Sequence, residues 1–79
     1  ANLRGALLAG ASLKEANLSD ADLREADLHG ADLEDADLSD ALLTDAEVAE
    51  ASFRGANLVG ADIEDVNFDE AILEDVRFI

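Results

Sequence analysis

The chain has 79 residues, 20 acids against 5 Lys and Arg, one His, and a formal net charge of −15 at pH 7. That charge excludes nucleic acid and anionic membrane as direct partners, since both would repel it. No Cys is present for disulfide or thiolate chemistry, and no run of about 18 apolar residues exists to cross a membrane. Read in fives from Ala1, the first place is Ala in every repeat except Val66 and Val76. The third place is always apolar, from Leu3 and Leu8 through Val48, Phe53, Ile63 and Phe68 to Leu73 and Phe78. Gly5, Gly10, Gly30, Gly55 and Gly60 all fall at the fifth place. The plainest stretch is residues 21–40, ADLREADLHGADLEDADLSD, four copies of Ala-Asp-Leu-x-x with nothing between them.

The period decides what these repeats can build. Ala and Leu favour helix, but five residues advance a helix by about 500°, so successive leucines would step about 140° around it and form no stripe. A straight strand also fails, because side chains alternate with period two and five is odd. A chain that turns a corner every five residues places each first and third residue inward and the other three outward. A fifth-place Gly suits such a corner, since a type II turn requires positive φ at its second central residue. Asp tolerates that geometry and Glu does so poorly, so the corners at Glu15, Glu25, Glu50 and Glu70 are expected to use another turn.

The tandem A(D/N)Lxx phrase resembles the pentapeptide repeat family over the whole chain, about fifteen repeats and a partial one. The resemblance implies an all-β fold, a right-handed quadrilateral parallel β-helix with four repeats per coil, as one domain over 1–79. The hand agrees with that of parallel crossovers in general. About four coils at about 4.8 Å give a rod of about 19 Å. Because each coil touches only its neighbours, stability sums along the stack.

Taken in order, coil 1 (1–20) is neutral, with Arg4 and Lys14 against Glu15 and Asp20, and places Leu7 outward. Coil 2 (21–40) has Arg24 against eight acids, and its second places are Asp22, Asp27, Asp32 and Asp37, one per face. Coil 3 (41–60) has Arg54 against Asp45, Glu47 and Glu50, with Leu42 and Val59 outward. Coil 4 (61–79) has Arg77 against seven acids. Its larger inward residues, Ile63, Val66, Phe68, Val76 and Phe78, predict a wider last coil. Stacking one coil apart predicts a column Lys14, Glu34, Arg54, Glu74 that alternates in sign, and a like-charge ladder Glu25, Asp45, Asp65.

Nothing in the chain marks a catalyst. His29 is an outward fourth-place residue, and Ser19 and Ser39 map to the opposite face, too far for a hydrogen bond. An Ala–Leu core offers no ligand cavity. Stacked carboxylates such as Asp27/Glu47 and Glu50/Glu70 read as counterion attractors, since Ca²⁺ wants six or more oxygens. No cofactor or metal is expected. The first expectation is a non-catalytic structural or protein-binding module with a protein partner, a basic one fitting the charge. Its open C-terminal coil would dock end to end on a second copy through Phe68, Ile72, Val76, Phe78 and Ile79, because an uncovered β-helix end is a template for association.

The second expectation follows from charge density. Fifteen net charges over that rod is one per about 1.3 Å, against about 1.7 Å for B-DNA. Some pentapeptide repeat proteins act as DNA mimics and bind DNA gyrase. The resemblance therefore implies an acidic lateral surface, here Asp22, Asp27, Asp32, Asp37, Glu34 and Asp35, directed at gyrase or another topoisomerase. No targeting segment is visible, which favours the cytoplasm.

Overall fold

The computed structural model describes all 79 residues, Ala1–Ile79. The backbone winds as a four-sided parallel β-helix. Each side contributes one bridging residue per coil, always the second place, except the second side in coil 4, and bridges join residues twenty apart. Asn2, Asp22, Leu42 and Asp62 form the first face, and Leu7, Asp27 and Glu47 the second. Ser12, Asp32, Ser52 and Ile72 form the third, and Asn17, Asp37, Asn57 and Arg77 the fourth. The molecule measures 26 × 22 × 22 Å, a stub rather than a rod.

The five-residue phrase is explained by where its backbone N–H groups go. A buried amide must find a partner, and every N–H of coil 2 does. The first-place N–H closes the corner onto the third-place C=O of the preceding repeat, as Ala26 does onto Leu23 at 3.0 Å. The second-place N–H donates to the first place one coil back, as Asp27 does to Ala6 at 2.9 Å. The third- and fifth-place N–H groups donate one coil forward, as Leu28 does to Glu47 and Gly30 to Ala49. That leaves the fourth-place N–H, and the second-place Asp or Asn takes it: His29 N–H donates to Asp27 Oδ1 at 3.1 Å. The same bond recurs from Arg4 to Asn2, Arg24 to Asp22, Glu34 to Asp32, Ser39 to Asp37 and Val59 to Asn57.

The core is the first and third places of the two inner coils. All eight such residues of coil 2 and all eight of coil 3 are buried, together with Leu18. Leu23, Leu28, Leu33, Leu38, Leu43 and Phe53 are wholly sealed from solvent. The equivalents in the outer coils, among them Leu3, Leu8, Leu13, Ile63, Val66 and Phe68, are half-buried because each has a neighbour on one side only.

Two expectations are corrected. Glu15, Glu25 and Glu50 adopt φ of 63°, 63° and 61°, matching Asp20 and Asp35 and close to the glycines. Corner geometry is therefore imposed by the coil's hydrogen bonds, which override the local preference of Glu. Glu70 is the one fifth-place residue absent from the positive-φ set. The second correction concerns the width of coil 4. Its first, third and fourth faces keep their bridges at Asp62, Ile72 and Arg77, and only the second face departs. There Asn67 does not bridge Glu47, and the Glu50 N–H donates to the Glu70 C=O rather than to that of Asp69. The cause is local packing. Val66 and Phe68 stand above Ala46 and Val48, both smaller, and the Phe68 ring meets Phe53 edge-on, with centroids 5.7 Å apart.

Candidate functional site

The second-place aspartates of coil 2 are half-buried structural groups before they are surface charges. Asp22 accepts from Arg24 three times, from the backbone N–H and Nε at Oδ1 and from Nη2 at Oδ2, at 3.1, 2.9 and 2.7 Å. Those guanidinium bonds pull its pKa down to about 2 and raise that of Arg24. Asp37 Oδ1 accepts from both the backbone N–H and the hydroxyl of Ser39, which holds its carboxyl below the usual range. Asp22, Asp27, Asp32 and Asp37 stand on four different faces, so the fold does not bring them together. Only Asp32, Glu34 and Asp35 share a face.

The alternating column forms in pairs. Lys14 Nζ lies 3.6 Å from Glu34, and Arg54 Nη2 lies 3.5 Å from Glu74. Glu34 and Arg54 do not meet at ion-pair distance. The top of the like-charge ladder is relieved by Arg4, whose Nε donates to Glu25 at 3.2 Å. Four of the twenty acids thus pair with Lys or Arg: Asp22, Glu25, Glu34 and Glu74.

His29 contacts Glu50, Nε2 to Oε1 at 3.1 Å, and both side chains are more than half exposed. No hydroxyl reaches it, and the Ser39 hydroxyl is spent on Asp37 at 2.7 Å. Beside His29, the departure of coil 4 from the second face opens a lateral cleft of about 340 Å³. Asp45, Glu47, Asp65, Asn67 and Glu70 line it. The cleft lies on the flank of the second face and was not foreseen. Its signal was the bulk of Val66 and Phe68 above the Ala46–Val48 repeat. No three His, Asp or Glu side chains converge to hold a metal ion.

The ends differ from the sides. Five large apolar side chains are exposed, and four of them, Ile72, Leu73, Phe78 and Ile79, belong to coil 4. Phe68 and Val76, also expected there, are half-buried against the core. Leu73 was missed because its third-place position points inward, yet it is 36% exposed. The N–H groups of Ile63, Leu73 and Phe78, which would donate to a following coil, have no backbone acceptor.

The repeat phrase, the four-sided winding and the corner hydrogen bonds define the class, and comparison agrees. The Pentapeptide repeats family matches eight copies, over residues 1–40 and 36–75, and the chain belongs to that family. Among solved structures it is similar to a pentapeptide repeat protein from the Arabidopsis thaliana thylakoid lumen, at 35% identity and TM-score 0.95, covering 99% of this chain and 54% of that one. A second is Rfr23 from the cyanobacterium Cyanothece 51142, at 34% identity and TM-score 0.94, with the same two coverages. A third is a pentapeptide repeat protein from Nostoc, at 30% identity and TM-score 0.95, covering 98% of this chain and 64% of that one. The fold is accordingly the right-handed quadrilateral β-helix. The chain spans about half the length of the first two structures it matches. No curated protein matches it. No helix is long and apolar enough to cross a membrane.

Proposed function

We propose that the chain is a non-catalytic protein-interaction module that docks through its C-terminal coil. The observation that carries this reading is the segregation of exposed apolar surface. Leu73, Phe78 and Ile79 gather at the end of coil 4, over unpaired backbone N–H groups, with Ile72 beside them on the third face, and Leu7 is the one exposed large apolar side chain elsewhere. A strand edge bordered by apolar side chains is the surface by which β-structures recruit a further chain. Phe68 and Val76, also of coil 4, are half-buried against the core. The test is mass by light scattering over rising concentration for the wild type and for Phe78→Asp. Concentration-dependent growth that Phe78→Asp abolishes supports the reading. A wild type that stays monomeric at millimolar concentration overturns it as a self-docking surface.

A second reading is favoured by a different observation, the unneutralised acids. Sixteen of the twenty have no Lys or Arg at ion-pair distance, so the lateral faces project a strongly negative field onto any basic groove. In this reading the chain mimics nucleic acid and binds gyrase through Asp22, Asp27, Asp32, Asp37, Glu34 and Asp35. A gyrase supercoiling titration at two salt concentrations tests it. Inhibition that fades with salt supports mimicry, and no effect at tens of micromolar contradicts it.

A further inference from the structure

We infer that the lateral cleft on the second face receives an extended peptide segment with Lys or Arg at alternate positions, one residue of which completes a broken bridge in its wall. The site uses none of the residues of the two readings above, so either can stand if it fails. Two independent observations point to it.

The first is a single break in the ladder. In coils 1–3 every third-place N–H from Leu3 to Leu58 donates one coil forward, except that of Val48. Every first-place C=O from Ala1 to Ala56 accepts from a second-place N–H one coil on, except that of Ala46. Asn67 stands in line to serve both and serves neither. Coils lie on both sides of this break, so it is interior to the stack. The Ala49 N–H beside it is free as well, since Glu47 does not accept it as Asp27 accepts that of His29. Ala46 and Val48 are only 6% and 1% exposed, and a sealed backbone group without a partner is costly.

A peptide residue laid against this edge donates its N–H to the Ala46 C=O and accepts the Val48 N–H at its own C=O. Asp27 makes the same two bonds with Ala6 and Leu8, at 2.9 and 2.8 Å. Adding a residue to an open strand edge is a recurring mode of peptide capture.

The second observation is the charge of the walls. The cleft is about 340 Å³, at the small end of the range for ligand sites. Asp45, Glu47, Asp65 and Glu70 line it, with no Lys or Arg among the lining residues. None of the four has a basic side chain at ion-pair distance, and His29 at the rim is held by Glu50. An anionic ligand is repelled. A bare cation finds no converging ligand set and leaves the Val48 N–H without an acceptor. A basic peptide supplies donor, acceptor and charge together. In the register of the internal bridges its bridging side chain points outward beside Glu47, where opposite charges pair across strands. Residues two before and two after point the same way, toward Asp45 and Asp65 on one side and Glu70 on the other.

The test is an amide NMR titration at ~150 mM salt with the capped peptide acetyl-Lys-Val-Lys-Val-Lys-amide. Two comparison ligands carry the same three charges: the peptide N-methylated at its central Lys, which cannot donate to Ala46, and spermidine, which has no carbonyl for Val48. The capped peptide should shift the Val48 and Ala49 amides and saturate. N-methylation should weaken it about fivefold, the loss of one hydrogen bond. Glu47→Gln with Glu70→Gln should weaken it about tenfold, and Glu15→Gln with Glu64→Gln, the same charge change elsewhere, by less than about twofold. Circular dichroism verifies folding, and the N-methyl comparison needs no variant. No shift at Val48 and Ala49 up to ~10 mM peptide overturns the inference. So does equal binding by the N-methyl peptide or by spermidine, which would reduce the cleft to attraction for ammonium groups. Equal losses from the two Gln pairs also overturn it, because the field of the whole surface would then be the cause.

Discussion

Replacing Asp27 and Asp32 separates the two things a second-place aspartate does. Each carries a charge, and each lends Oδ1 to a fourth-place N–H, from His29 at 3.1 Å and from Glu34 at 3.0 Å. Asn keeps the acceptor and drops the charge, whereas Ala drops both. A hydrogen bond of this kind contributes about 0.5–1.5 kcal/mol, so Asp27→Ala with Asp32→Ala should cost about 1–3 kcal/mol. That is a large share of the 5–15 kcal/mol typical of a folded domain. At about 4–8 °C per kcal/mol for a domain of this size, the melting temperature should fall by about 4–24 °C. The Asn pair should melt within a few degrees of the wild type, or slightly above it, because two like charges leave a strongly negative surface. Thermal unfolding followed by circular dichroism gives the answer. Equal losses for the Ala and Asn pairs would refute the argument, because charge and not the acceptor would then hold the corner.

The converse change should stabilise. Leu7 occupies a second place, is 87% exposed and offers no acceptor to Ala9, so Leu7→Asn should gain about 0.5–1 kcal/mol in urea unfolding. Leu33 is fully buried in an inner coil, and Leu33→Ala should cost about 2.7–5 kcal/mol, whereas Leu73→Ala at the open end should cost under about 1 kcal/mol by the same measurement. Acid should remove the contribution of Asp22. Its folded pKa of about 2 lies below the unfolded value of about 3.9, so its stabilisation is complete above pH 4 and fades as pH falls toward 2. The stability difference between wild type and Asp22→Asn should follow that course, and a difference constant from pH 5 to pH 2 would contradict it.

The architecture was legible because a five-residue apolar period fits neither a helix nor a straight strand, and that constraint survives any detail of packing. The chemistry of the corners was less so. Glu15, Glu25 and Glu50 carry the same positive φ as Asp20 because the bonds to the coils on either side fix the corner, and those bonds join residues twenty apart. The acceptor role of the second place did have a sequence signal. Asn2, Asn17, Asn57 and Asn67 stand where Asp stands elsewhere, which says that the shared oxygen matters and the charge does not. Reading the coil 2 aspartates as surface charge overlooked it. The bulk of Val66 and Phe68 signalled a disturbance of the second face, but the lateral cleft depends on how Phe68 packs on Phe53 across a corner, a relation between faces that the repeat alone does not state.

The central claim is that a partner docks on the C-terminal end. Amide hydrogen exchange at low and high protein concentration tests it most directly. At low concentration the unpaired N–H groups of Ile63, Leu73 and Phe78 should exchange fast while Leu28 and Leu33 are protected. As concentration rises, protection should appear at Ile63, Leu73 and Phe78 and leave the lateral fourth-place amides unchanged. Exchange at those three positions that stays fast while the lateral faces gain protection would contradict the account.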